Sequence, residues 1–151
     1  MHGNQVSEQV AEVAEAGTLQ LWSPVGIVLW SLLFTPAFGA WLQMYNYRRL
    51  GDDAAAAVAW RWCLGGLAVL GWNALASAVG QRLGSDTPLF DWVNGVLFLA
   101  WVWATLPRHA KAVDPAYARR RWDSVVVLGM LAAVAYLGAS LLLQWMLAEL
   151  T

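Results

Sequence analysis

The sequence predicts an all-α protein: a four-helix transmembrane bundle preceded by a short extramembrane segment. The chain has 151 residues, of which 60% are hydrophobic and only 13% are charged. Four apolar runs divide it, and each has about the 20 residues that a helix needs to cross about 30 Å of hydrocarbon. The predicted spans are residues 25–47, 58–80, 89–106 and 124–147. The chain is thereby divided into two parts, a polar acidic tail over 1–22 and the bundle over 23–151.

The basic residues predict the orientation of these spans. Eight of the nine lie in or beside the gaps that follow the first and third runs, and Arg82 is the exception. Since Lys and Arg collect in cytoplasmic connections, both gaps are expected to face the cytoplasm. The N-terminal tail, the second gap and the C-terminus then face outward, an N-out, C-out arrangement. The cytoplasmic basic face, with anionic lipid head groups as its expected contacts, consists of Arg48, Arg49, Arg61, Arg108, Lys111, Arg119, Arg120 and Arg121.

Helix starts are predicted by a capping residue followed by proline. Ser, Thr and Asp side chains accept hydrogen bonds from the first free N–H groups of a helix, and proline has no N–H to leave unpaired. The pairs are Ser23-Pro24, Thr87-Pro88 and Asp114-Pro115. The last of them predicts a short helix over Pro115–Trp122.

The first gap predicts a tight turn between two helices. Gly51 suits the end of one helix, and Asp52 or Asp53 suits the cap of the next. Inside the first run, Pro36 removes one backbone hydrogen bond and predicts a kink in the span. The kink could act as a hinge or only set the shape of the helix.

The N-terminal tail has no basic residue and does not resemble a secretory signal. Val6, Val10 and Val13 fit one face of a short helix, but disorder is an equal alternative. Among the 11 tryptophans, we expect Trp22 to lie at the outer interface and Trp122 at the cytoplasmic one, because indole prefers that depth.

Polar uncharged residues follow one face of three predicted spans. Two interpretations stay open: a packed bundle interior with hydrogen bonds across helices, or a polar cavity that opens outward. The candidate residues are Asn73, Ser77, Asp91, Asn94, Tyr136, Ser140 and Gln144.

The sequence offers little for catalysis or metal binding. No ionisable group lies near the middle of a span, where a proton- or cation-coupled carrier usually keeps one. Cys63 is the single cysteine and suits a small buried hydrophobic position. His2 and His109 are far apart, and no nucleophile motif or phosphate loop occurs. We therefore expect a protein that is not an enzyme and has no cofactor or metal.

Residues 23–60 carry a pattern in which Trp30 to Phe34 (WSLLF) is followed by Pro36 to Ala40 (PAFGA), then Asn46, Arg48 and Leu50-Gly51. This pattern resembles a group of small bacterial inner-membrane proteins of unassigned function, and it implies a bacterial inner membrane. The four apolar runs and the lack of a catalytic set favour a multi-pass protein that acts through protein–protein contacts in the bilayer. Such a protein would be an accessory subunit of a complex or an immunity-type protein against a membrane-acting toxin, binding another membrane protein or itself and no nucleic acid. The alternative is an oligomeric channel or small-solute carrier.

Overall fold

The computed structural model describes residues 20–83, 89–113 and 117–149 and confirms the helical class. Within these ranges, the elements in chain order are β1 (Gln20–Leu21), α1 (Pro24–Leu33), α2 (Pro36–Arg49), α3 (Asp53–Leu83), α4 (Leu89–Ala112), β2 (Ala118–Arg119) and α5 (Asp123–Glu149). The predictions for the tail up to residue 19, for the turn at 84–86, and for the pairs Thr87-Pro88 and Asp114-Pro115 lie outside the described residues.

Three predicted helix boundaries are confirmed. The Ser23 hydroxyl accepts a hydrogen bond from the backbone N–H of Gly26 at 3.1 Å, with Pro24 at the first helical position. Gly51 has a φ of 74°, the left-handed conformation that ends a helix most easily without a Cβ. The Asp52 carboxylate then caps α3 by accepting from the N–H of Ala55 at 2.9 Å.

The first apolar run is not one helix, so the predictions of a single span over 25–47 and of a kink within it are wrong. The chain leaves the helix at Phe34 and Thr35, and Thr35 is fully extended with φ −173° and ψ 161°. Proline disfavours helical backbone at the residue before it and cannot donate to the preceding turn. The Thr35 hydroxyl accepts from Phe38 N–H at 3.2 Å and starts a new helix at Pro36.

Helices α1 and α2 fold back on each other as a helical hairpin over residues 24–49. Near its tip, Ser31 lies so close to Gly39 that a Cβ on the glycine would overlap its hydroxyl. Farther down, Ile27 and Leu42 are both fully buried in one hydrophobic cluster. At its base, the backbone N and O of Trp22 bond to the Asn46 side chain at 3.2 and 2.8 Å. The two ends of the run are therefore neighbours.

The segment before α5 is also different from its prediction. Residues 118–119 are a strand that pairs in parallel with Gln20–Leu21, and the N–H of Arg120 donates to the carbonyl of Leu21 at 2.9 Å. The predicted helix over Pro115–Trp122 is wrong for its described part, because β1 takes the backbone groups that a helix would pair internally.

One end of the bundle thus collects residues 20–22, the turn after α2, the end of α4, and β2. We call this the basic end. These contacts do not fit the predicted N-out side of the tail, which would place residues 20–22 and 48–53 on opposite sides of a membrane. Trp22 was predicted at the opposite face from Trp122, yet their rings lie 6.3 Å apart.

The remaining helices extend well past the hairpin. Helix α2 packs along the first half of α3, and Gly66 of α3 meets the tip at Ala37. Two helices, α3 over Asp53–Gln81 and α5 over Asp123–Glu149, are long and apolar enough to cross a membrane. Beyond the tip, α3, α4 and α5 continue, and no fourth helix of the described chain lies between them.

Candidate functional site

The space beyond the hairpin tip is a cavity of about 1150 Å³. Phe34 to Phe38 form its floor, and α3, α4 and α5 form its walls. Within the described residues, helices α4 and α5 do not pack closely against each other, so the cavity opens sideways between them.

Small side chains recur around this cavity, between larger Leu and aromatic residues. The Gly and Ala residues that line it are Ala37, Gly71, Ala74, Gly95, Gly129, Ala132, Ala133 and Ala139. On the α4 wall, a Cβ added to Gly95 would meet no atom within 4 Å, so that wall has open space in front of it. On the α5 wall, Gly129 lies directly against the ring of Phe34. Small residues allow the backbone of another helix to approach closely.

Three of the predicted polar residues line the cavity: Asn94, Tyr136 and Ser140. The Tyr136 hydroxyl donates to the carbonyl of Leu70 at 3.2 Å and ties α5 to α3. The Ser140 hydroxyl donates to the carbonyl of Tyr136 at 2.8 Å, within its own helix. Asn94 is half-buried and belongs to the α4 wall.

Three other predicted polar residues, Asn73, Ser77 and Gln144, do not join the cavity lining. Ser77 is exposed and Gln144 is half-buried, both away from it. Asn73 is half-buried, and its Oδ1 is buried without a partner among the described residues. The side chain of Asp91 lies outside the described part of the chain. The predicted polar side chains that the structure describes therefore do not meet in one polar cavity.

A buried polar layer between α2 and α4 was not predicted from the sequence. The Thr105 hydroxyl donates to the carbonyl of Trp101 at 2.7 Å, so its oxygen accepts from the Gln43 amide N–H at 3.1 Å. Gln43 and Trp101 are fully buried. This pairing locks α4 alongside the hairpin.

One turn nearer the basic end, Asn46 joins three parts of the chain. Its Oδ1 accepts from the N–H of Trp22, and its Nδ2 donates to the Trp22 carbonyl. The same Nδ2 lies 3.1 Å from Nε2 of His109 in α4. Because Nδ2 can only donate, Nε2 must accept, and the histidine proton sits on Nδ1. The His109 side chain is completely buried, and this burial lowers its pKa from 6.5 to about 4.

The polar layer could have been found from spacing alone. Gln43 and Asn46 are three residues apart within the first apolar run, while Trp101, Thr105 and His109 recur every four residues. Both spacings place side chains on one helix face. The polar stripes predicted from the sequence lie in the other three runs and do not include His109.

The predicted basic residues gather around the basic end, with one exception. Arg61 lies two turns into α3, where it is exposed. Arg121 pairs with Asp123 at 2.7 Å, but both side chains are highly exposed, so this ion pair adds little stability. Arg120 and Arg49 converge instead on the ring of Tyr45.

Among the described residues, no group of three His, Cys, Asp or Glu side chains is placed to hold a metal ion. Cys63 is buried in the main hydrophobic cluster. No protein-family model, curated protein or solved structure matches the chain.

Proposed function

We propose that the protein is an integral membrane protein with three membrane-crossing helices, α3, α4 and α5, and one hairpin that enters and leaves on the same side. Support comes from α5, whose most apolar stretch has a mean hydropathy of 2.3 but is only 11% buried within the chain. Large side chains such as Leu131, Leu137 and Leu141 are about 60% exposed. Such a surface is unfavourable in water and favourable in lipid.

Helix α4 completes the set of spans in this proposal. It has 24 residues, about 36 Å of helix, and its apolar stretch over 92–106 runs beside α3. Helices α1 and α2, with 10 and 14 residues, are too short to cross a bilayer alone. The hairpin can enter a membrane because its backbone groups are paired mainly within the two helices, and the Thr35 hydroxyl accepts from Phe38 N–H at the break between them.

The orientation follows from the basic end, which we place in the cytoplasm by the positive-inside rule. The N-terminal segment is then cytoplasmic and the C-terminus is outside. A bacterial inner membrane is the location that the resemblance implies. This arrangement replaces four spans with three and reverses the predicted side of the N-terminus.

In this setting the protein acts by binding an apolar helix of another membrane protein in the sideways-opening cavity. The observation that supports this most directly is the wall of Gly and Ala residues at an open seam between α4 and α5. Association of helices in lipid depends on close backbone approach, since lipid supplies no hydrophobic drive. An accessory subunit and an immunity-type protein would both use such a groove.

The carrier alternative has weaker support from the same cavity. A solute pathway should be lined by Asn73, Ser77, Asn94 and Gln144, but only Asn94 lines the cavity. The walls are otherwise largely apolar, and a hydrated path for ions or polar solutes needs polar groups along its length.

Site-specific photo-crosslinking tests the proposal. A benzophenone amino acid at Ala133 points into the cavity, while the neighbouring Val134 is 67% exposed outside it. In membranes of the native host, we expect one discrete protein adduct from position 133 and none of that size from 134. Equal adducts at both positions, or lipid adducts alone, would overturn the proposal.

A substitution that fills the cavity can be compared with a matched control outside it. Gly95→Leu and Gly138→Leu both add a side chain where no atom lies within 4 Å, but only Gly95 lines the cavity. The first should abolish the adduct from position 133 and the second should leave it intact. Both variants should stay folded, since neither introduces a clash.

A further inference from the structure

Two guanidinium groups meet at one aromatic ring at the basic end. The Cζ of Arg120 lies 4.9 Å from the ring centroid of Tyr45 and 4.5 Å from that of Trp22. The Cζ of Arg49 lies 5.5 Å from the Tyr45 centroid, and its Nη2 donates to the Tyr45 hydroxyl at 3.2 Å. Arginine stacks on aromatic faces in this way while keeping its N–H groups in the guanidinium plane free to donate.

Surrounding contacts hold these groups in place. Asn46 holds the backbone of Trp22, and the Trp22 indole N–H donates to the carbonyl of Arg121 at 3.3 Å. The backbone of Arg120 is bonded to Leu21. The charged groups are therefore positioned by parts of the chain far apart in sequence, and a ligand would not have to order them.

The positive charge here lacks a counterion in the part of the chain that the structure describes. The one ion pair among those residues is that between Arg121 and Asp123, and within them neither Arg49 nor Arg120 touches a carboxylate. The Nη1 atom of Arg120 is buried without a hydrogen-bond partner in the same ranges. A buried guanidinium nitrogen without an acceptor is unfavourable, and an oxyanion with several oxygens would relieve it.

We propose that Arg49 and Arg120, positioned by Tyr45 and Trp22, form a binding site for a phosphate group. This inference rests on the proposed placement of the basic end at the cytoplasmic membrane surface. There the source of the phosphate is the head group of an anionic phospholipid, which a planar guanidinium binds through two parallel hydrogen bonds. The site lies at the depth of the head groups, because aromatic rings prefer that layer and Trp22, Trp122 and Tyr45 lie beside it.

The test is native mass spectrometry of the full-length protein in detergent, titrated with phosphatidylglycerol or with phosphatidylcholine of the same acyl chains. We expect tighter binding of phosphatidylglycerol, and about a 10-fold loss of its affinity in R120Q and in R49Q. The matched control is R119Q, which removes the same charge from the exposed neighbouring residue. Its affinity should stay within about 2-fold of the wild type.

A conservative variant separates the site from folding. R120K keeps the charge but not the fork of donors, so it should also lose most of the preference for phosphatidylglycerol. Full retention in R120K would overturn the guanidinium site, and so would an equal loss in R119Q, which would show only diffuse attraction. Displacement of the lipid by millimolar inorganic phosphate would identify a soluble phosphate as the source and overturn the lipid assignment.

The proposed function and this site fail in different experiments. Lipid binding is measured on the purified protein and needs no partner protein. The crosslink from Ala133 reports the cavity, on the other side of the hairpin tip from Arg120. Loss of one signal with the other intact shows which inference is wrong.

Discussion

Single amides decide how the polar interior is connected. Asn46 uses one side chain to pair both backbone groups of Trp22 and to reach Nε2 of His109. Each of these groups would otherwise be buried without a partner, which costs about 1–3 kcal/mol apiece. This one residue therefore fixes the base of the hairpin, the segment before it, and the end of α4.

The buried histidine, which lies at the basic end beyond the apolar stretch of α4, makes stability depend on pH. In the unfolded chain His109 has a pKa near 6.5, and in the folded protein burial lowers it to about 4. Above pH 6.5 His109 is neutral in both the folded and the unfolded protein, so its full contribution to the free energy of unfolding is present. Between pH 6.5 and 4 the unfolded state binds a proton that the folded state does not, so about 3 kcal/mol is lost. Below pH 4 this residue causes no further loss.

Denaturant unfolding in detergent at pH 7 and at pH 4.5 measures this effect. His109→Gln cannot titrate, so its free energy of unfolding should fall clearly less between the two pH values than that of the wild type. An identical pH dependence of the two proteins would show that His109 is not the titrating group.

At the scale of elements, the hairpin explains why the cavity exists. Helices α1 and α2 fill the space between the longer helices up to Gly66, and the region beyond remains open. The contact at this point needs a residue without a side chain. A Cβ on Gly66 would lie 2.8 Å from Cβ and 3.0 Å from Cα and N of Ala37, so backbone would have to move.

Gly66→Leu should therefore destabilise the protein by about 2 kcal/mol or more, through overpacking at the hairpin tip. At the neighbouring Gly65, an added Cβ would meet no atom within 4 Å, so Gly65→Leu should be neutral or slightly stabilising. Thermal unfolding in detergent compares the two. Equal effects of both substitutions would contradict the close contact between α2 and α3.

Capping residues in the sequence predicted three helix ends. Ser23, Gly51 and Asp52 act where their chemistry indicated, because capping depends on a few adjacent residues. The same signals were present at Thr35-Pro36, another capping residue before proline. The apolar run continues unbroken through that pair and therefore favours a kinked span, because hydropathy does not distinguish a span from a hairpin of the same length.

The arrangement of the helices in the whole molecule is the feature that the sequence predicts least well. The hairpin brings Trp22 beside Asn46, and the strand pairing brings Leu21 beside Arg119, contacts across 24 and 98 positions that no local pattern encodes. Among the candidate polar residues, Tyr136 hydrogen-bonds across to the carbonyl of Leu70 in α3. The cavity itself could not be predicted, since it depends on how far the hairpin reaches.

The central claim is that the N-terminal segment and the turn after α2 lie on the same side of the membrane. Single cysteines at Gln20, Asp53, Ala112 and Glu149, in a Cys63→Ala background, test it with an impermeant thiol reagent on right-side-out membrane vesicles. We expect positions 20, 53 and 112 to be protected and position 149 to be labelled, with the reverse in inverted vesicles. Labelling of position 20 together with protection of position 53 would contradict the hairpin and restore a first helix that crosses the membrane.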